Sequence, residues 1–182
     1  VASSISTGAF TVTNLASGTN FDIVGNGAAT NGASNVGYVA GATAATIDIM
    51  DGVTAGAITV TGTGLLSEAY TSTGAANTTG TITSAATTTS VTIDATTDLT
   101  AAITGTAIAS LTVTGAGDVD TNSAALDATV ITVNASAATG DFDVTVGAVA
   151  EATDPSTVDI ADVTVTSGSG SDDINVASVV TA

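Results

Sequence analysis

Apolar residues alternate with threonine at intervals of two along most of this chain. Successive side chains of a β-strand point to opposite faces, so each such segment has one apolar face and one polar face. The segments are residues 10–13, 58–61, 82–83, 91–94, 111–114, 131–134, 142–146, 163–166 and 174–176. Clusters of Gly, Asn, Ser and Asp separate them. The sequence therefore predicts an all-β protein with short strands rich in Thr and Val.

The spacing of these segments favours a coiled arrangement of strands. The pattern apolar-Thr-Val-Thr begins at Phe10, Ile58, Leu111 and Val163, which we interpret as a degenerate repeat. Since only 3% of residues are aromatic, small aliphatic side chains must fill thin core layers. We predict a β-solenoid with turns of 20 residues, the separation of Leu111 and Ile131. The alternative is an immunoglobulin-like β-sandwich that donates the strand of residues 6–13 to a neighbouring subunit.

The length of the chain suits a single domain. We expect residues 1–182 to form one all-β domain or a segment of a longer repetitive array. Four of the 17 acidic residues precede residue 90 and the rest follow it, which suggests an internal division near that residue.

Basic side chains are entirely absent. The chain has 17 Asp plus Glu, no Lys, Arg or His, and a formal net charge of −17, so no side-chain salt bridge can form. This charge argues against nucleic acid, phosphate-rich ligands and anionic membrane surfaces. No apolar run approaches the length of a membrane span. Metal cations are the expected counterparts of the carboxylates.

The chain lacks the usual groups of enzyme active sites. Without His, Cys or Lys it has no Ser-His or Cys-His nucleophile and no Schiff-base lysine. Paired carboxylates could serve a glycosidase, but the chain has no Trp and only Tyr38 and Tyr70 to line a sugar cleft. We therefore expect that the protein is not an enzyme.

One segment near the C-terminus fits a calcium-binding motif. Residues 167–175, SGSGSDDIN, match the nine-residue β-roll repeat G-G-x-G-x-D-x-U-x, with Ser167 in place of the first glycine. In such a turn the Asp172 carboxylate would complete an oxygen cage, with Asp173 beside it, while Ile174 enters the core. The alternative is a polar hairpin with exposed aspartates.

Other carboxylates come in close pairs that suit hard cations. Residues two apart on a strand share a face, so two such pairs could clamp a cation between strands. The alternative for any single pair is a solvated acidic face. The candidate metal ligands are Asp118, Asp120, Asp141, Asp143, Asp159, Asp162, Asp172 and Asp173, with calcium as the expected cofactor. Two glycosylation sequons also occur, at Asn77 and Asn134.

Three stretches resemble a known family. They are residues 108–117 (IASLTVTGAG), 126–140 (LDATVITVNASAATG) and 163–176 (VTVTSGSGSDDINV). They resemble bacterial surface-layer proteins of the RTX type, which are Thr/Ala/Gly-rich, cysteine-free β-solenoids. The resemblance implies type I secretion and calcium-driven lattice assembly. The chain departs from the family by carrying one β-roll copy instead of a tandem array.

Together these features predict an extracellular structural protein. We expect it to self-assemble, with calcium, into a cell-surface layer or fibre, so that its main partner is another copy of itself. A cell-surface polysaccharide is a second candidate partner. The alternative function is a calcium-dependent adhesin or an ice-binding module that presents Thr-x-Thr rows such as Thr59/Thr61 and Thr112/Thr114.

Overall fold

The alternating segments form parallel strands that coil into a β-solenoid of about six turns. The structure is a computed structural model and describes residues 2–4, 6–25, 30–147 and 163–177. Among these residues there is no helix, and hence none long and apolar enough to cross a membrane. The prediction of an all-β solenoid is confirmed. The sandwich alternative does not fit, because its sheets would be antiparallel.

The strands form three parallel sheets, which we call A, B and C. Sheet A contains β1 (Ala2–Ser4), β3 (Asn20–Val24), β5 (Ala44–Met50), β8 (Ser67–Thr73), β11 (Ser90–Ala95), β14 (Ser110–Gly115), β16 (Thr132–Ala138) and β18 (Thr164–Thr166). Sheet B contains β2 (Phe10–Leu15), β4 (Ser34–Tyr38), β7 (Ile58–Thr61), β10 (Ile82–Thr83) and β13 (Ile103–Thr104). Sheet C contains β6 (Thr54–Ala55), β9 (Asn77–Thr79), β12 (Leu99–Thr100), β15 (Val119–Asp120), β17 (Phe142–Val146) and β19 (Asp173–Val176).

The chain runs through the sheets in the order A, C, B in each complete turn. Phe21 pairs with Ile47 and Ile93 pairs with Val113, which are separations of 26 and 20 residues. The predicted turn length of 20 is thus the short end of the range. Leu111 pairs with Val133, not with Ile131, so the predicted register is wrong by two residues.

The reason for this shift is the loop between β15 and β16. In this turn the described residues form no sheet B strand, and the buried side chains of Leu126 and Val130 fill the core instead. The Leu126 N–H donates to the Thr145 carbonyl of the next turn at 2.8 Å. A loop is not bound to the two-residue period, so its length cannot be inferred from strand alternation.

The apolar-Thr-Val-Thr repeat does not mark one structural position. Phe10 and Ile58 both pair with Ser34 in sheet B, so they lie two turns apart in one column. Leu111, in contrast, lies in sheet A. The repeat interpretation therefore holds within the first half and fails between the halves.

Inward side chains stack along the solenoid in columns that follow the register. Phe21, Ile47, Tyr70, Ile93 and Val113 form one such column in sheet A, and all five are buried. Burial of a large apolar side chain stabilises a fold by about 1.5–3 kcal/mol. The alternating pattern thus becomes a thin core with one polar and one apolar face per strand.

Candidate functional site

Three aspartates stack where the chain passes from sheet A to sheet C. The backbone N–H of Asp118 donates to Oδ1 of Asp98 at 3.0 Å, and the N–H of Asp141 donates to Oδ1 of Asp118 at 2.8 Å. The Ser171 N–H donates to Oδ1 of Asp141 at 2.6 Å. One carboxylate oxygen of each aspartate thus joins its turn to the next. We call Asp98, Asp118 and Asp141 the corner ladder.

Glycines allow the turns to approach closely at this corner. Gly117 and Gly140 directly precede Asp118 and Asp141. A Cβ atom on Gly140 would overlap the carbonyl oxygen of Gly117, and one on Gly117 would overlap the backbone of Thr97. Because no side chain fits there, the N–H of the next residue can reach the carboxylate. The Gly-Asp dipeptide is therefore the local sequence signature of the corner ladder.

A second column of aspartates lies on the outer face of sheet C. Asp120 pairs with Asp143, which pairs with Asp173. The Asp173 N–H donates to Oδ1 of Asp143 at 3.2 Å, while the Asn122 N–H donates to Oδ1 of Asp120 at 2.8 Å. We call Asp120, Asp143 and Asp173 the sheet ladder.

The two ladders bring together the pairs that the sequence suggested. Asp118 and Asp120 belong to one turn, and Asp141 and Asp143 stack on them in the next. Nevertheless, no group of three acidic residues in the described ranges is arranged to hold a metal ion. Calcium takes about six to eight oxygen ligands. A calcium ion at the ladders would therefore need oxygens from water or from a second molecule.

Like charges along the ladders affect the ionisation of Asp143. Burial raises the pKa of Asp143 from its ordinary value, and the carboxylates of Asp120, Asp173 and Asp141 raise it further. The hydrogen bond from the Asp173 N–H acts in the opposite direction. No basic side chain exists to offset the repulsion. Ionised Asp143 is thus held in the fold at a cost in free energy.

We expect this cost to make stability fall as pH rises. The folded state binds the Asp143 proton more tightly than the unfolded state, so the proton's contribution to stability is present below the ordinary pKa of 3.8 and is lost as pH rises through the folded value. The melting temperature of the wild type should decline more steeply over this window than that of Asp143→Asn, which keeps the Oδ1 acceptor. The difference should shrink in high salt, which screens the repulsion. Parallel pH profiles for the two proteins would contradict this linkage.

Asp172 and Asp173 do not form a joint site in the structure. Oδ1 of Asp172 accepts the backbone N–H of Phe142 at 3.0 Å, whereas Asp173 belongs to the sheet ladder. Ile174, which we expected in the core, is 38% exposed. The other two candidate ligands, Asp159 and Asp162, lie outside the described residues.

Sheet A carries a smaller carboxylate pair that the sequence analysis did not propose. Asp22 and Asp48 pair in adjacent strands, and Nδ2 of Asn20 donates to both, at 2.9 Å to Asp22 Oδ1 and 2.6 Å to Asp48 Oδ2. Burial, and then the charge of Asp48, raise the pKa of Asp22. The sequence analysis paired Asp48 with Asp51 because they are close in the chain, but stacking between turns brings Asp22 and Asp48 together.

A carboxylate also lies in the core. Glu68 is 1% exposed and occupies an inward position of β8. Its Oε1 accepts the Ala85 N–H and the Thr88 hydroxyl, both at 2.8 Å. Its Oε2 accepts the Tyr70 hydroxyl at 2.6 Å. Three hydrogen bonds thus take the place of the missing basic partner.

The sequence did contain a signal for this buried group. Alternation over Ser67–Thr73 puts Glu68 on the same face as Tyr70 and Ser72, which are also buried. Burial raises the pKa of the Tyr70 hydroxyl well above its ordinary value, and the charge of Glu68 raises it further. Tyr70 is therefore protonated and can donate its hydrogen bond at neutral pH.

The two proposed Thr-x-Thr rows lie on different sheets. Thr59 and Thr61 belong to sheet B, and their neighbours in β4 are Asn35 and Gly37. Thr112 and Thr114 belong to sheet A, where β11 places Thr92 and Asp94 beside them. Neither row continues as Thr-x-Thr into these adjacent strands.

The two sequons differ in accessibility. Asn77 is 2% exposed, and its Nδ2 donates to Ser72 Oγ and to the carbonyls of Ile49 and Thr73. Asn134 is exposed on β16, where its Oδ1 accepts the Ser136 N–H at 3.0 Å. The folded chain therefore presents Asn134, and not Asn77, to a modifying enzyme.

Sheet B borders an open groove of about 460 Å³. Its lining consists of small residues, among them Thr59, Thr61, Thr83 and Thr87, without a carboxylate. The groove thus offers hydroxyl groups but no acid or base for catalysis. Comparisons with protein-family models, with curated proteins and with solved structures find no match to this chain.

Proposed function

We propose that this protein is a structural component of a cell-surface layer or fibre, that it works outside the cell, and that calcium promotes its self-assembly. The observation that carries the proposal is the pair of aspartate ladders, repeated from turn to turn on a regular parallel scaffold. A repeated array of this kind suits repeated contacts between identical molecules better than it suits one small-molecule site.

The electrostatics of the ladders give calcium a physical role. The carboxylates of a chain with net charge −17 repel one another within a molecule and between molecules. A divalent cation between two ladders would reduce both repulsions, and ligands from two molecules would help to complete its coordination shell. Calcium would therefore favour the folded state and the assembled state together.

An enzymatic role receives little support. The chain has no His, Cys or Lys, and the hydroxyl and carboxylate groups around Glu68 are buried and bonded to one another. The open groove beside sheet B is lined without an acidic residue. We therefore assign the protein a non-catalytic role.

The ice-binding alternative receives less support than assembly. Binding to a crystal surface requires a regular array, but Asp94 interrupts the Thr114 column and Gly37 interrupts the Thr61 column. A calcium-dependent adhesin would share the ladders and remains the second candidate. A fibre or layer formed by the purified protein alone would favour the structural role over adhesion.

Removal of calcium provides the direct test. We expect excess chelator to lower the melting temperature or to dissolve the assembly, because a ligand that binds the folded state at one hundred times its Kd adds about 2.7 kcal/mol to stability. Magnesium should substitute poorly, since it requires a smaller octahedral cage. Scanning calorimetry and light scattering, with and without calcium, measure the two effects. Unchanged melting and unchanged assembly in chelator would contradict the calcium role.

Charge-matched variants localise the effect. The double variant Asp118→Asn with Asp141→Asn removes two charges from the corner ladder and keeps both Oδ1 acceptors. It should lose most of the calcium response. Asp51→Asn with Asp94→Asn removes the same charge elsewhere, and asparagine tolerates the positive φ of 63° at residue 51. An equal loss in both double variants would mean that net charge, and not the ladder, controls the response.

A further inference from the structure

The carboxylates of the described residues are distributed unequally among the three sheets. Sheets A and C, the corner between them, the core and the loop after β15 contain all of them. They are Asp22, Asp48, Asp51, Glu68, Asp94, Asp98, Asp118, Asp120, Asp127, Asp141, Asp143, Asp172 and Asp173. The five strands of sheet B contain none. One side of the solenoid is therefore uncharged although the chain is strongly acidic.

The outward side chains of sheet B form one continuous column. Thr11 pairs with Asn35, Asn35 with Thr59, Thr59 with Thr83 and Thr83 with Thr104. We call these five residues the neutral face. The open groove described above borders this face at Thr59 and Thr83. At the corner that follows β7, Leu66 is 54% exposed, which adds an apolar group near one margin of sheet B.

The chemistry of the neutral face suits a second copy of the same face. A threonine hydroxyl both donates and accepts hydrogen bonds, and so does an asparagine amide. Two such columns can therefore pair with each other, as a twofold interface requires. A carboxylate column cannot do this, because an ionised carboxylate only accepts.

Electrostatics select the same face for contact between molecules. No copy carries a basic side chain, so approach through sheet A or sheet C brings carboxylates towards carboxylates. Contact through sheet B keeps those charges on the far sides of both molecules, where solvent and cations screen them. Sheet B is thus the side that can be buried against another copy without desolvating a charge.

We propose that the neutral face is a self-association surface, where two copies of this chain pack sheet B against sheet B. The inference rests on the proposed self-assembly and names the contact through which it proceeds. The aspartate ladders then lie on the outside of the pair, available for calcium-mediated contacts with further copies.

The test introduces charge on the neutral face. Thr59→Asp with Thr83→Asp places two adjacent carboxylates in the proposed interface. Thr92→Asp with Thr112→Asp adds the same charge at paired positions of sheet A and serves as the control. Thr59→Asn with Thr83→Asn matches the size of aspartate without the charge, and Asn35 shows that asparagine fits this column. Circular dichroism melting establishes that each variant folds.

Sedimentation velocity and electron microscopy across a concentration series measure the association. We expect the wild type, the sheet A variant and the asparagine variant to assemble, and the sheet B aspartate variant to need at least about tenfold higher concentration. Equal assembly of the two aspartate variants would overturn the inference. So would loss of assembly in the sheet A or the asparagine variant. A wild type that stays monomeric at every calcium concentration would overturn the proposed function itself, and this inference with it.

Discussion

Replacement of Glu68 by alanine should lower the free energy of unfolding by roughly 3–5 kcal/mol, the range found when one partner of a buried charged network is removed. The change deprives the Ala85 N–H and the hydroxyls of Tyr70 and Thr88 of their acceptor. A buried donor left without a partner costs about 1–3 kcal/mol, and the smaller side chain also leaves a cavity. Relief from burying the charge offsets only part of these losses.

Glu68→Gln is the matched control, because it removes the charge and keeps the shape. The glutamine oxygen can accept from Ala85 and Thr88, while its NH₂ group can donate to the Tyr70 hydroxyl, which is also an acceptor. We expect Glu68→Gln to cost less than about 1.5 kcal/mol, the net worth of one ordinary hydrogen bond.

Urea unfolding measures both variants. Tyrosine fluorescence is a local reporter, since the chain has no Trp and two Tyr, and Tyr70 contacts the altered residue. Equal midpoints for the alanine and glutamine variants would show that the three hydrogen bonds contribute little. An alanine variant more stable than the wild type would show that the cost of burying the charge exceeds the gain from its partners.

The fold class could be predicted because strand alternation is a local property. Segments such as residues 91–94 and 111–114 fix which side chains point inwards, and their abundance of Val and Thr excludes helix. The register could not be predicted, because it depends on loop lengths between strands. Leu111 pairs with Val133 since the loop before β16 replaces a strand with an irregular segment.

The candidate site was predicted in part for the same reason. The same-face pair Asp118 and Asp120 follows from alternation within one turn. Its stacking on Asp141 and Asp143 requires the register and the close approach at Gly140. Asp172 and Asp173 were placed in one site on the strength of a motif, but neighbouring strand residues face opposite sides, and Asp172 accepts the Phe142 N–H instead.

Buried polar residues were missed because strand alternation marks them only as exceptions. Glu68 and Asn77 occupy inward positions where apolar side chains are the rule. In the same column as Asn77, the next turn has Leu99. Such exceptions indicate that the backbone nearby has groups that the parallel ladder leaves unpaired. For Asn77 those groups can be named.

Asn77→Ala should lower the free energy of unfolding by roughly 2–4 kcal/mol, because one amide serves several backbone groups of two adjacent turns. Its Oδ1 accepts the Val53 N–H at 2.9 Å, and its Nδ2 donates to the carbonyl of Ile49 at 3.1 Å. Within its own turn Nδ2 also donates to Ser72 Oγ at 2.9 Å and to the Thr73 carbonyl at 3.2 Å. Alanine leaves all of these groups buried without a partner.

Two further variants separate hydrogen bonding from packing at residue 77. Asn77→Leu restores apolar volume, as in Leu99 one turn on, but supplies no acceptor for the Val53 N–H. We expect it to be nearly as destabilised as Asn77→Ala in urea unfolding. Asn35→Ala changes an exposed asparagine and should cost less than about 0.5 kcal/mol. If Asn77→Leu instead matched the wild type, filling the core would be the main role of this position, and the bridge between the two turns would contribute little to stability.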